Sequence, residues 1–177
     1  ILMFILPFFT MRLFTEEARQ NTLALLMTSP VRTWELTIAK FLAGAGMLLL
    51  MLALTLIFPV FLVLFSSAGP NTGPDMGIIF STYLGLILAG FTYIGFGMFW
   101  SSVTESQLVA VVLGFATNFC FWLLSLWAQG AQGTMQEVLK HLAINEQFTA
   151  LARGTLETQT LVYFATVIFI ALFLYVN

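Results

Sequence analysis

The sequence predicts an all-α, polytopic transmembrane helix bundle, and two observations lead to this fold class. Hydrophobic residues make up 60% of the 177 residues and charged residues only 8%, whereas roughly 25% of an average soluble domain is charged. The apolar residues also form uncharged runs close to the roughly 20 residues that a helix needs to cross a bilayer. Hydrocarbon offers the backbone no hydrogen-bonding partner, so each run is expected to be helical. Four runs are predicted as full spans: residues 41–65, 78–100, 108–128 and 160–176.

A shorter apolar run, residues 2–9, precedes the first full span. It is too short to cross a bilayer, so we interpret it as the end of an earlier span and the chain as N-terminally truncated. Residues 1–177 are then predicted to form a single transmembrane domain. Pro59 lies inside the first full span, where its missing N–H is expected to kink the helix.

Basic residues indicate how the spans are oriented. Four of the six Lys and Arg residues lie in residues 10–40, and short segments rich in these residues stay on the cytoplasmic side. Residues 10–40 are therefore predicted to be cytoplasmic. Alternation of the spans then places residues 129–159 outside the cytoplasm.

Residues 129–159 are expected to contain two short extracytoplasmic helices, over residues 134–142 and 145–153. Thr134 and Asn145 are candidate N-caps, because their side-chain oxygens can accept the first free backbone N–H groups. One side of this segment is apolar and is expected to rest on the spans or on the lipid interface. The residues of that side are Leu139, Leu142, Ile144, Phe148 and Leu151.

The residue types that catalysis and metal binding require are scarce. The sequence has one histidine, His141, and one cysteine, Cys120, which excludes an HExxH metal site and a disulfide within it. It contains no GxxxxGK[ST] loop, so this chain cannot hydrolyse ATP by a P-loop mechanism. We therefore predict no catalytic, metal-binding or cofactor-binding residue. Six Lys and Arg residues provide no basic surface for a nucleic acid.

Small residues in the spans are predicted helix-packing positions, because they let neighbouring helices approach closely. The sequence leaves open whether they pack within the subunit or form a dimer face or a sliding gate. Thr117 and Asn118 lie in mid-span, where each is expected to hydrogen-bond to a neighbouring helix or to line a substrate path. The predicted packing positions are Gly44, Gly46, Gly85, Ala89, Gly95 and Gly97.

Residues 11–40 read MRLFTEEARQNTLALLMTSPVRTWELTIAK and resemble the cytoplasmic segment of type-2 ATP-binding-cassette (ABC-2) permeases. The family pattern is an acidic pair, a basic residue, Gly-Thr, Leu-x-x-Leu-Leu, Ser-Pro-Val and a later Gly-Lys. Asn21 and Ala39 stand where glycine is usual. Residues 101–107 and 153–158 are also similar to loops of the gliding-motility-type branch. The residues that match the main pattern are Glu16, Glu17, Arg19, Thr22, Leu23, Leu26, Ser29, Pro30, Val31 and Lys40.

The resemblance implies a permease subunit of an ABC-type exporter. Its cytoplasmic segment would contain a coupling helix that docks on a separate P-loop ATPase, which would bind the ATP and leave this chain without a cofactor. The other implied partners are a second permease copy or a related subunit, and membrane lipid. The implied location is the cytoplasmic (inner) membrane of a bacterium. The implied coupling residues are Glu16, Glu17, Arg19, Thr22, Leu23 and Leu26.

Two other interpretations remain open at this point. From the residues alone, the charges of Glu16, Glu17 and Arg19 also fit a helix face that is merely solvated. The whole chain also fits a non-transporting membrane scaffold of a motility or secretion apparatus, which would need no ATPase. A membrane enzyme is disfavoured, because the spans lack the base that would activate a nucleophile.

Overall fold

The computed structural model of the protein describes residues 6–7, 33–65, 74–104, 106–130, 133–155 and 157–176. Within these ranges the regular structure is α-helical and no strand is present, which confirms the predicted all-α fold. Residues 6–7 are helical, and the helices with described bounds are α1 (Thr33–Thr55), α2 (Ile57–Phe65), α3 (Met76–Val103), α4 (Gln107–Gly130), α5 (Thr134–Leu142), α6 (Ile144–Ala152) and α7 (Thr158–Val176).

The four predicted spans are confirmed as helices that are long and apolar enough to cross a membrane. The first is made by α1 and α2 together, and the others are α3, α4 and α7. The 28 residues of α3 measure about 42 Å at 1.5 Å per residue, so this helix extends beyond a hydrocarbon core of roughly 30 Å. The four stretches are Trp34–Phe65, Met76–Val103, Gln107–Gly130 and Thr158–Tyr175.

The first span is interrupted at Leu56, between α1 and α2. Pro59 has no N–H, so the carbonyl of Thr55, four residues earlier, loses its helical partner. The Leu56 N–H is shared between the carbonyls of Leu52 and Ala53, each at 3.2 Å. The span in which Pro59 was expected to cause a kink is therefore interrupted one turn before the proline.

Helix α3 lies at the centre of the bundle and contacts α1, α4, α6 and α7. Its many small residues let four neighbours pack closely around one helix. Leu6, in the short N-terminal apolar run, also reaches the core. The buried core consists of Leu6, Leu48, Leu52, Ala89, Tyr93, Ile94, Met98, Ile144, Leu151 and Phe164.

Helices α5 and α6 join at Ala143, which ends one helix and begins the next. The prediction of Thr134 and Asn145 as N-caps is wrong, because Gly133 and Ala143 hold these positions and neither cap has a side-chain hydrogen bond. Gly133 has a φ of 66°, a left-handed conformation that glycine adopts without steric cost. The extended backbone of Ala143 then turns the chain from α5 into α6.

Candidate functional site

The α5–α6 unit, residues 133–154, enters the bundle between the ends of α3, α4 and α7. Helix α5 packs beside α4, and α6 packs beside α3. The side chains of Phe148 and Leu151 reach Gly85, which lies nine residues into α3, or about 14 Å along the helix at 1.5 Å per residue. After α6 the chain comes back to the level of Ile78, near the start of α3, where Gly154 lies beside it. The unit therefore dips into the bundle instead of lying across its end.

Side-chain hydrogen bonds attach this unit to all three surrounding spans. Such bonds between transmembrane helices contribute on average about 0.6 kcal/mol each, and together they fix the position of α6. The bonds run from Ser81 Oγ of α3 to the Leu151 carbonyl (2.7 Å), from Ser125 Oγ of α4 to Glu146 Oε1 (3.0 Å), from Thr160 Oγ1 of α7 to Gln147 Oε1 (3.0 Å) and from Tyr163 Oη of α7 to the Leu142 carbonyl (2.8 Å).

Apolar contacts hold the same unit from inside the bundle. Ile144 and Leu151 are both fully buried. A Cβ placed on Gly85 would lie 3.1 Å from Leu151 Cβ and 3.2 Å from Phe148 Cδ2, so the glycine permits the close approach of α6 to α3. Of the predicted apolar side of this segment, Leu142 is instead exposed.

A polar cavity of about 480 Å³, which we call the polar vestibule, opens between α5, α6 and the start of α7. Three of the five carboxylates within the described ranges line it, together with the chain's only histidine. This site was not predicted from the sequence, because the charges of residues 129–159 are spread along the chain and only the fold collects them. Its charged or titratable residues are Glu137, Lys140, His141, Glu146 and Glu157.

The vestibule can surround a hydrated polar group beside an otherwise apolar bundle. Carboxylates on α5, on α6 and immediately before α7 favour a positively charged or hydrogen-bond-donating group, and Lys140 offsets part of their charge. The described residues include no group of three His, Cys, Asp or Glu side chains placed to hold a metal ion. One of the carboxylates that line the vestibule, Glu146, accepts a hydrogen bond from Ser125 of α4.

The polar residues of mid-span α4 face its neighbours. Thr117 Oγ1 accepts a hydrogen bond of 2.7 Å from the indole Nε1 of Trp100 in α3, and it donates one to the Leu113 carbonyl in its own helix. Asn118 is buried, with only 2% of its surface exposed. For Thr117, the expected bond to a neighbouring helix is therefore observed.

The predicted packing residues occupy different surroundings. Those of α3 are all buried: Gly85 faces α6, and Gly95 faces Ala171 of α7. In α1, Gly44 is half-buried and Gly46 is exposed, with no described atom within 4 Å of a Cβ placed on Gly46. Gly90, a further small residue of the same span, contacts Leu48 of α1 and belongs with the packing residues. The buried α3 positions of the predicted set are Gly85, Ala89, Gly95 and Gly97.

Replacement of Gly95 by alanine is expected to lower the free energy of unfolding by about 1–3 kcal/mol. A Cβ at this position would lie 2.9 Å from Ala171 Cβ, and neither atom can move without its backbone. The matched control is Gly46→Ala, which enters open space and gains about 1 kcal/mol of helix propensity. Thermal unfolding in detergent should show a lower midpoint only for Gly95→Ala, and equal midpoints would contradict the close α3–α7 contact.

Comparison with known families decides what this bundle is. The profile described as ABC-2 family transporter protein matches residues 1–176. The chain belongs to the ABC-2 transporter family. It is therefore a multi-pass membrane permease of an ABC transporter. No curated protein and no solved structure matches the chain in the corresponding comparisons.

The residues implied in coupling the ABC-2 permease to an ATPase all lie outside the described ranges. The last part of the same segment is described, as the beginning of α1. There Lys40, which matches the family pattern, is buried together with Thr37. The coupling role remains a prediction for Glu16, Glu17, Arg19, Thr22, Leu23 and Leu26.

Proposed function

We propose that this ABC-2 permease is the membrane-spanning subunit of an ABC-type exporter, which forms the translocation path and is coupled to a separate P-loop ATPase. The family match over residues 1–176 is the observation that carries this proposal. Residues 1–177 contain no phosphate-binding loop, and in this proposal a separate partner chain supplies the energy of ATP. Neither ATP nor another cofactor is then bound by this subunit, which has no catalytic role.

Coupling requires a part of the permease outside the hydrocarbon that can contact the ATPase. Residues 10–40 carry the acidic pair, the basic residue and the Ser-Pro-Val sequence of the family pattern. A short helix with an apolar stripe and charged edges can dock in a groove of a partner. Binding of ATP to that partner would then favour one of two arrangements of the spans.

The translocation path would form between this subunit and a second copy or a related permease, surrounded by membrane lipid. The basic residues of residues 10–40 favour a cytoplasmic location for that segment, with the α5–α6 unit on the opposite side of a bacterial inner membrane. In this orientation the polar vestibule opens toward the extracytoplasmic solvent. The loops at residues 101–107 and 153–158 support membership of the gliding-motility-type branch.

Reconstitution with the ATPase tests this function. The full-length permease, purified with the P-loop ATPase of the same transporter, should form a stable complex whose ATP hydrolysis exceeds that of the ATPase alone. An ATPase without the permease is the control for basal hydrolysis. A permease that captures no ATPase and leaves its hydrolysis unchanged would refute the proposal and favour a non-transporting scaffold.

A further inference from the structure

Helix α5 presents an apolar stripe to the outside of the subunit. Met135, Val138 and Leu142 follow one another at intervals of three and four residues, which places them on one side of a helix. They are 64%, 50% and 51% exposed. None of the three is shielded by the bundle, although α5 itself packs against α4.

The other side of α5 is polar and faces a different environment. Glu137, Lys140 and His141 all line the polar vestibule. On a helical projection of 100° per residue, the centre of this polar side is about 140° from the centre of the apolar stripe. Helix α5 therefore separates the vestibule from whatever lies outside the subunit.

The position of α5 indicates what lies outside. Span α4 ends at Gly130, and α5 begins only a few residues later, at Thr134. Helix α5 packs along that span. Trp127, in the last turn of α4, is 69% exposed, and tryptophan is enriched at the boundary between headgroups and hydrocarbon. The stripe thus lies at the level where the exposed apolar surface of the spans meets the headgroups.

We propose that the stripe formed by Met135, Val138 and Leu142 is inserted into the lipid interface, so that α5 is a wall between the bilayer and the polar vestibule. An amphipathic helix of this kind buries its apolar face about 5–10 Å into the headgroup–acyl boundary. A second copy of the chain is a poorer occupant. A stable protein interface takes about 20–30 residues from each side, whereas α5 offers three exposed apolar side chains.

Fluorescence quenching in membranes tests this assignment. The full-length protein, with the exposed Cys120 replaced by serine, would carry Val138→Cys or, as the matched control on the opposite side, Glu137→Cys. Each cysteine is labelled with bimane and the protein is reconstituted in phosphatidylcholine vesicles. Nitroxides near the glycerol end of the acyl chain should quench position 138 at least about twofold more than position 137. Soluble iodide should show the opposite order.

Two results would overturn the inference. One is equal quenching of the two positions by the acyl-chain nitroxide, and the other is oxidative cross-linking of Val138→Cys into dimers, which would assign the stripe to a second copy. Met135→Cys repeats the measurement on the same side of α5 if Val138→Cys does not insert. The readout requires neither transport nor an ATPase, so it is independent of the proposed function.

Discussion

Charge reversal of Glu16 and Glu17 together (E16K/E17K) is expected to prevent capture of the ATPase and to abolish the stimulation of its hydrolysis. The reason is that lysines would face a docking surface complementary to acidic residues, and like charges brought together at an interface cost several kcal/mol. A loss of about 3 kcal/mol weakens binding roughly a hundredfold. Membrane insertion should be retained, because these residues lie outside the predicted spans. A pull-down of the ATPase and its hydrolysis rate in membranes measure both effects.

The conservative variant E16D/E17D separates charge from other effects. It keeps both negative charges, so capture and hydrolysis should remain close to those of the unmodified protein. Normal capture and normal hydrolysis by the charge-reversed variant would remove the coupling role of the acidic pair. That result would also favour the scaffold function over transport.

Replacement of Leu151 by alanine is expected to destabilise the protein by about 2–5 kcal/mol. Leu151 is fully buried in the contact between α6 and Gly85 of α3, and its removal would leave a cavity that the surrounding spans cannot fill. Its carbonyl accepts the hydrogen bond from Ser81, so a displaced α6 would also lose this attachment to α3. Unfolding in detergent, followed by circular dichroism, measures the loss.

Leu142→Ala is the matched control for this prediction. It removes the same atoms from the same two-helix unit, but Leu142 is half exposed, so the expected change is within about 0.5 kcal/mol. The two variants should therefore differ clearly in unfolding midpoint. Equal destabilisation would show that α6 is not held by its buried side, and the insertion of the α5–α6 unit between the spans would be contradicted.

The spans and their interruption could be predicted because each depends on a short stretch of neighbouring residues. An uncharged apolar run of about 20 residues is sufficient to specify a membrane helix. Pro59 acts on the carbonyl four residues before it, and the break at Leu56 follows. The N-caps at Thr134 and Asn145 were predicted from side-chain type alone. The N-cap positions are instead occupied by the left-handed Gly133 and the extended Ala143.

The packing residues illustrate how far such local information extends. Gly46 and Gly95 are equivalent in sequence terms, since each is a glycine within an apolar span. Only the fold distinguishes them, because a Cβ at Gly95 would meet Ala171 and one at Gly46 would meet no described atom. A glycine becomes a contact position through the helix that approaches it, and that helix can come from any part of the chain.

The sequence by itself determined that this protein is a bundle of membrane helices with a family-specific segment before α1, because composition over one span and a contiguous motif are both local properties. The tertiary structure decided where residues 133–155 lie relative to the spans. Ser81 and Leu151, 70 residues apart, are joined by a hydrogen bond, which is one of the contacts that hold α6 between the spans. The same insertion leaves one side of α5 exposed and collects three carboxylates around the polar vestibule. Both outcomes depend on contacts between distant segments, which no periodicity along the chain specifies.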